Sequence, residues 1–256
     1  MLREQTFEKL ASLKLHGMAR ALEEQLANPD SSSLGFEERL GMIVEAQWLW
    51  RENKAIKTRL GKAALKMPAS IEDMNYRHPR QLDRSTMRNL ATCDWIQQHH
   101  NVAISGASGI GKTYICCALL DKACRRGFSA YYASTPKLFR RLAIAYADGS
   151  FDRLLSRLAR TDVIAIDDWG LAPLTDTQKQ HLLEVLDDRC GSRSTIVASQ
   201  FVVDRWHDLV GSPTLADAIM ERILANSQRI ELKGESMRPV KRAPKPEPKT
   251  GGEEEA

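Results

Sequence analysis

Apolar positions in the first quarter of the chain recur at helical spacing. Phe7, Leu10, Leu13, Met18, Leu22 and Leu26 fall on one stripe, Asn28-Pro29-Asp30-Ser31-Ser32-Ser33 interrupts it, and Phe36 to Lys66 resumes it. This predicts an all-helical amino-terminal domain over residues 1–66. Met67 to Arg84 holds Pro68 and Pro79 and few periodic apolar positions, which predicts a linker laid on the next unit; Leu82 to Gln97 returns to helix, so 67–97 is linker and helix. From Asn101 onward the pattern changes to short apolar runs alternating with amphipathic stretches. Strands are expected over 101–105, 128–133, 162–167, 194–199 and 228–232, and helices over 112–126, 136–147, 151–160, 176–189 and 213–225. Such alternation builds an α/β domain, here 98–233, in which a parallel sheet is flanked by helices on both faces. The tail, 234–256, sets Pro239, Pro244, Pro246 and Pro248 among charged residues and is expected to be disordered, because it cannot bury a core.

Two segments of the alternating half carry chemistry. Gly106-Ala107-Ser108-Gly109-Ile110-Gly111-Lys112-Thr113 matches G-x-x-x-x-G-K-[ST] and lies between a predicted strand and a predicted helix. Glycines there let backbone N–H groups turn inward around phosphate oxygens; Lys112 reaches the β- and γ-phosphates, and the Thr113 hydroxyl can ligate Mg²⁺. The expected ligand is a nucleoside triphosphate, ATP, with Mg²⁺. About 55 residues later, Val163-Ile164-Ala165-Ile166 delivers Asp167 and Asp168 at the end of a buried strand. Asp167 is assigned to the magnesium shell and Asp168 to the attacking water. Both segments fall at the carboxyl ends of strands, where parallel sheets bind ligands.

Composition narrows the setting. With 256 residues, 43% hydrophobic and 27% charged, the chain has enough material for one ordinary core and a smaller appendage. Met1-Leu2-Arg3-Glu4-Gln5 does not resemble a signal peptide and no stretch of about 18 apolar residues occurs, so the expectation is a cytoplasmic protein without a membrane partner. Cys93, Cys116, Cys117, Cys124 and Cys190 form no C-x-x-C pair and are expected to be buried, reduced thiols. A net charge of +4 does not by itself demand nucleic acid. Local clusters are more telling. At 100° per residue Arg51, Lys54, Arg59, Lys62 and Lys66 fall within an arc of about 140°, which makes either a phosphate-binding stripe or a solvated helix face. Lys137, Arg140 and Arg141 form a second basic set at the start of a later helix, which is either a further set of DNA contacts or an ordinary exposed helix face.

The carboxyl half resembles a known family. Val163-Ile-Ala-Ile-Asp-Asp-Trp-Gly-Leu171, Ser194-Thr-Ile-Val-Ala-Ser-Gln-Phe201, Pro213-Thr-Leu-Ala-Asp-Ala-Ile-Met-Glu-Arg222 and Arg229-Ile-Glu-Leu-Lys-Gly-Glu-Ser-Met-Arg238 are similar to the IstB-type transposition helper ATPases, relatives of DnaC-type helicase loaders and DnaA-type initiators in the AAA+ class. The resemblance implies an AAA+ P-loop fold and an ATPase that forms a homo-oligomer on double-stranded DNA with little regard to sequence and serves its cognate transposase. It implies Gly106, Gly109, Gly111, Lys112 and Thr113 as Walker A, Asp167 and Asp168 as Walker B, Ser199 or Gln200 as a phosphate sensor, and Arg222 as an arginine finger. Arg229 and Arg238 are further phosphate-sensor candidates. The wider class usually has Asp-Glu where this chain has Asp-Asp. A helicase loader is the alternative function, and a small-molecule phosphotransferase is disfavoured because no Arg-rich lid segment is apparent.

Overall fold

The computed structural model describes residues 2–238. The amino-terminal unit is three helices, Leu2–Ser12 (α1), His16–Ala27 (α2) and Phe36–Ala63 (α3). The expected unbroken stripe from Phe7 to Leu26 is divided at Lys14, which adopts φ 58°. Leu15 N donates to Leu10 O and Lys14 N to Ala11 O, the paired bonds that close a helix around a left-handed residue. α2 then packs on α3 through Gly17, where an added Cβ would lie 2.6 Å from Ala46 O. Gln47 of α3 completes the joint: its side-chain oxygen accepts from Gly17 N (2.9 Å) and Met18 N (3.2 Å), amides that the start of α2 leaves unpaired. α3 stops three residues before the expected Lys66, with Ala64 left-handed at φ 54°.

Arg84–Ala91 (α4) and Asp94–Gln97 (α5) follow the linker; Cys93, at φ 66°, divides what the periodicity suggested was one helix. The strands are Asn101–Gly106 (β1), Ala130–Ser134 (β2), Val163–Trp169 (β3), Ser194–Ser199 (β4) and Ser227–Leu232 (β5), all parallel in the order β2-β3-β4-β1-β5. The crossovers use Lys112–Arg125 (α6), Thr135–Ala147 (α7), Phe151–Arg160 (α8), Asp176–Asp187 (α9), Trp206–Val210 (α10) and Pro213–Leu224 (α11). Among these crossovers, α10 and the short turn before it, Val203–Arg205, were not expected.

Alternate strand residues serve opposite faces. Val102, Ile104, Ala165, Ile196 and Ala198 meet Ile115, Leu119 and Leu120 of α6, whereas Ala103, Ile164, Ile166 and Val197 meet Leu138, Leu142, Leu182, Leu186 and Ile219. Burial on both sides explains why β1, β3 and β4 read as largely apolar runs, whereas the edge strand β5, Ser-Gln-Arg-Ile-Glu-Leu, is only partly buried. β4 lies between β1 and β3, so its end sits between the glycine loop and the two acids. Arg59 joins α3 to the sheet's first face, its Nε donating to Cys124 O (2.7 Å) near the end of α6. Residues 234–238, expected to begin a disordered tail, instead continue from β5 across the glycine loop, where Met237 N donates to Gly109 O (3.0 Å). The rest of that tail lies outside the described residues. Four of the cysteines are buried as expected, but Cys190, in the turn after α9, is exposed. Among the described residues, no helix is long and apolar enough to cross a membrane.

The contact at Gly17 predicts that Gly17→Ala separates α2 from α3 and lowers the unfolding free energy by about 1–3 kcal/mol. Urea denaturation measures this, and an unchanged midpoint would refute the close approach.

Candidate nucleotide site

β1 ends in a loop whose shape depends on its glycines. Gly109 and Gly111 have φ of 82° and 102°, and an added Cβ on Gly111 would stand 2.2 Å from Arg80 Nη1. Ile110 is completely buried and pins the loop to the core, while Ala107 and Ser108 remain exposed at its crest. Gly111 precedes α6, so the helix opens toward the loop with its first N–H groups and the positive end of its dipole. Lys112 folds back and donates from Nζ to Gly106 O (2.7 Å) and Ala107 O (2.9 Å). Burial lowers its pKa, and the negative charges of Asp167 and Asp168 oppose that effect.

Asp167 is fully buried at the end of β3. Its Oδ2 accepts from Thr113 Oγ1 (2.6 Å) and Tyr132 Oη (2.7 Å), its Oδ1 accepts from Asp168 N (2.9 Å), and Thr135 Oγ1 donates to its main-chain carbonyl (2.9 Å). Burial and the neighbouring carboxylate push the Tyr132 phenol well above its ordinary pKa, which keeps it a donor. In a regular strand Asp167 and Asp168 would point to opposite faces. The β3–β4 register shifts between Ile166 and Trp169, and Asp168 takes φ 62°, so Asp168 reaches the same cavity that Thr113 lines. Its Oδ2 lies 3.7 Å from Lys66 Nζ.

That cavity measures about 400 Å³ and is walled by Ser108, Gly109, Gly111, Lys112, Thr113 and Asp168. Other lining residues come from segments that sequence reasoning did not assign to the site: Met67, Asp73, Asn75 and Arg80 of the linker, Tyr114 of α6, and Met237. Arg238, a lower-ranked sensor candidate, also lines it, whereas Arg229 is exposed on β5. Arg80 is the keystone of the linker wall. Nearly completely buried, it donates to Ile110 O (2.8 Å) and Asn75 O (3.1 Å) and touches Met237 Sδ (3.3 Å), and its Nε has no partner among the described residues. No motif marks Arg80; only the tertiary path of the linker reveals it.

The remaining expected residues divide. Ser199 Oγ donates to Trp169 O (2.7 Å) and accepts from Phe201 N (3.1 Å), and the side chain is fully buried. It ties the ends of β3 and β4 together, while Gln200 beside it is exposed. Arg222 pairs with Asp187 and donates to Ala218 O (2.8 Å), and its carbonyl accepts from Asn101 Nδ2 (2.8 Å) at the start of β1. The length of β1, roughly 17 Å at 3.3 Å per residue, separates it from the chain's own loop. Of the basic stripe, Arg51, Lys54 and Lys62 are exposed, with Lys54 4.7 Å above the Trp50 ring. Arg59 is committed to Cys124, and Lys66, beyond the end of α3, faces Asp168 instead of sharing the helix face. Lys137, Arg140 and Arg141 are exposed along α7.

Comparison with known proteins identifies the family. Residues 8–244 match the family described as IstB-like ATP binding protein. The chain belongs to that family. It is 44% identical over 238 residues to an insertion-sequence ATP-binding protein of Sinorhizobium fredii, covering 93% of this chain and 97% of the relative. It is 48% identical over 201 residues to an insertion-sequence ATP-binding protein of Pseudomonas fluorescens, covering 78% and 87% respectively. The crystal structure of DnaI superimposes with a TM-score of 0.56 at 21% identity over 66% of this chain and 96% of that one, a likeness of fold. The fold is that of the AAA+ P-loop ATPases, and the family is one described as ATP-binding.

Gly111→Ala is expected to weaken ATP binding at least about tenfold, because a side chain there both strains the left-handed backbone and displaces Arg80. Titration with a fluorescent ATP analogue checks it; unchanged affinity in a folded variant would show that the loop conformation is not required.

Proposed function

We propose that this protein is an ATP-dependent helper of insertion-sequence transposition. It binds double-stranded DNA largely without regard to sequence, assembles there as a homo-oligomer, engages its cognate transposase and hydrolyses ATP in the cytoplasm. One observation carries the reading: the Thr113 hydroxyl and the Asp167 carboxylate meet at 2.6 Å beside Lys112 and the glycine loop. A hydroxyl and a carboxylate converging on one point are the hard oxygen donors that suit Mg²⁺. Thr113 and Asp167 would hold the ion, and when bound it would neutralise charge on the phosphates.

The chain's own groups account for the rest. Loop amides and the start of α6 receive the phosphates, and Lys112 exchanges two loop carbonyls for phosphate oxygens. Tyr132 fixes the orientation of Asp167. Asp168 orients the attacking water, and being one methylene shorter than the usual glutamate it suits slow turnover that a partner accelerates. Gln200 serves as the sensor in preference to Ser199, whose hydroxyl is already engaged. Arg222 acts on a neighbour's phosphates, releasing Asp187 when protomers meet, since its own loop is at the other end of β1. Relatives named for insertion sequences extend over nearly the whole chain, which favours transposition over helicase loading.

A shared site predicts complementation. Lys112→Ala and Arg222→Ala should each lack DNA-stimulated hydrolysis, and mixing them should restore a measurable part of it, because one protomer then supplies an intact loop and the other an intact finger. Asp168→Asn should form ATP-dependent oligomers on duplex DNA, seen by electron microscopy, that persist without phosphate release. Mixtures as inactive as their components would refute the shared site, and normal turnover by Asp168→Asn would refute the role of that carboxylate.

A further inference from the structure

Basic residues that are far apart in sequence meet beside the nucleotide cavity. A groove of about 350 Å³ runs between the end of α3 and the outer side of α7, lined by Lys66, Lys137, Arg140 and Arg141 over a floor of Tyr131 and Tyr132. Among the described residues no carboxylate lines it. Arg141 is held in place by Tyr131, lying 5.6 Å from the ring centre and donating to the hydroxyl, whereas Lys137 and Arg140 have no ion-pair partner among the described residues. Four cations with little internal compensation attract a polyanion.

The groove and the nucleotide cavity have no lining residue in common but are linked through the two acids. Tyr132 lines the groove and its hydroxyl bonds Asp167 (2.7 Å); Lys66 lines the groove and its ammonium stands 3.7 Å from Asp168, while the next residue, Met67, lines the nucleotide cavity. The Lys66–Asp168 pair is long, and its side chains are 47% and 34% exposed. Such a pair is weak and readily exchanged for a stronger anion.

We propose that this groove takes backbone phosphates of duplex DNA and that Lys66 couples it to hydrolysis. With the groove empty, Lys66 neutralises Asp168 and holds it aside; with a DNA phosphate bound, Lys66 turns to that phosphate and Asp168 is released toward the water. Lys66 is thus a positioning residue whose partner depends on DNA. The inference rests on the function proposed above and adds the route by which DNA reaches the site.

The test uses the full chain in two arms. In the first, steady-state ATP hydrolysis is measured with and without duplex DNA. Lys66→Ala should raise the DNA-free kcat by up to about fivefold, the loss of one exposed ion pair, with KM for ATP unchanged and no further stimulation by DNA. Lys66→Arg should restore the low rate and the stimulation. In the second arm, duplex binding is measured against salt without turnover, and the slope of log K against log salt should fall by about 1 in both Lys66→Ala and Arg140→Ala. An unchanged DNA-free rate with intact stimulation in Lys66→Ala, or unchanged salt slopes, would overturn the proposal. Stimulation by polyglutamate and not by DNA would also overturn it, assigning the groove to an acidic protein. A wild-type chain with no hydrolysis under either condition would instead defeat the function proposed above, and the groove would then be judged by the salt slopes alone.

Discussion

A carboxylate with no exposed surface must be compensated by hydrogen bonds or opposite charge, and Asp167 organises its surroundings around that need. Thr113 reaches it from the first turn of α6, Tyr132 from β2, and its own neighbour's amide turns inward to it. Three elements are thereby brought into register at one carboxylate. The bulge that supplies the Asp168 amide also directs the Asp168 side chain into the cavity, so satisfying one acid positions the second. Stability and chemistry depend here on the same geometry.

The walls of the cavity come from segments remote in sequence. Arg80 of the linker holds Ile110 O from beneath the loop, and residues 236–237 cross above it with Met237 N on Gly109 O. Gly109 and Gly111 have no side chains because these two segments occupy the space a Cβ would need. A nucleotide seated in the cavity would therefore touch linker, loop and the segment after β5 together. Ligand binding to the folded state would stabilise all three against separation.

The alternating half was largely legible because each signal there is local. Glycine spacing gives the loop, and strands buried on both faces appear as apolar runs; the helix expected at 112–126 is observed at Lys112–Arg125. What escaped notice was structure that depends on unusual residues at special positions. Lys14, Ala64, Cys93 and Asp168 all adopt left-handed backbone without being glycine, so two helix breaks, one early helix end and the bulge carried no punctuation in the sequence. Nothing local distinguishes Tyr132; the packing of β2 beside β3 puts its hydroxyl on Asp167. Spacing on an ideal helix placed Lys66 and Arg59 on one face, but α3 ends before the first and packing draws the second onto α6. Choosing between Ser199 and Gln200 likewise needed the contacts at the end of β4.

The central claim is that Asp167 and Thr113 together form the metal-dependent end of an ATP site. Isothermal calorimetry of purified protein with ATP, with Mg²⁺ and with the ion chelated, tests it most directly when wild type is run beside Asp167→Asn and Thr113→Val. One ATP per chain should be taken up with Mg²⁺, with much weaker uptake without it and loss of that metal dependence in both variants. Uptake by wild type that is indifferent to Mg²⁺, or absent altogether, would contradict it.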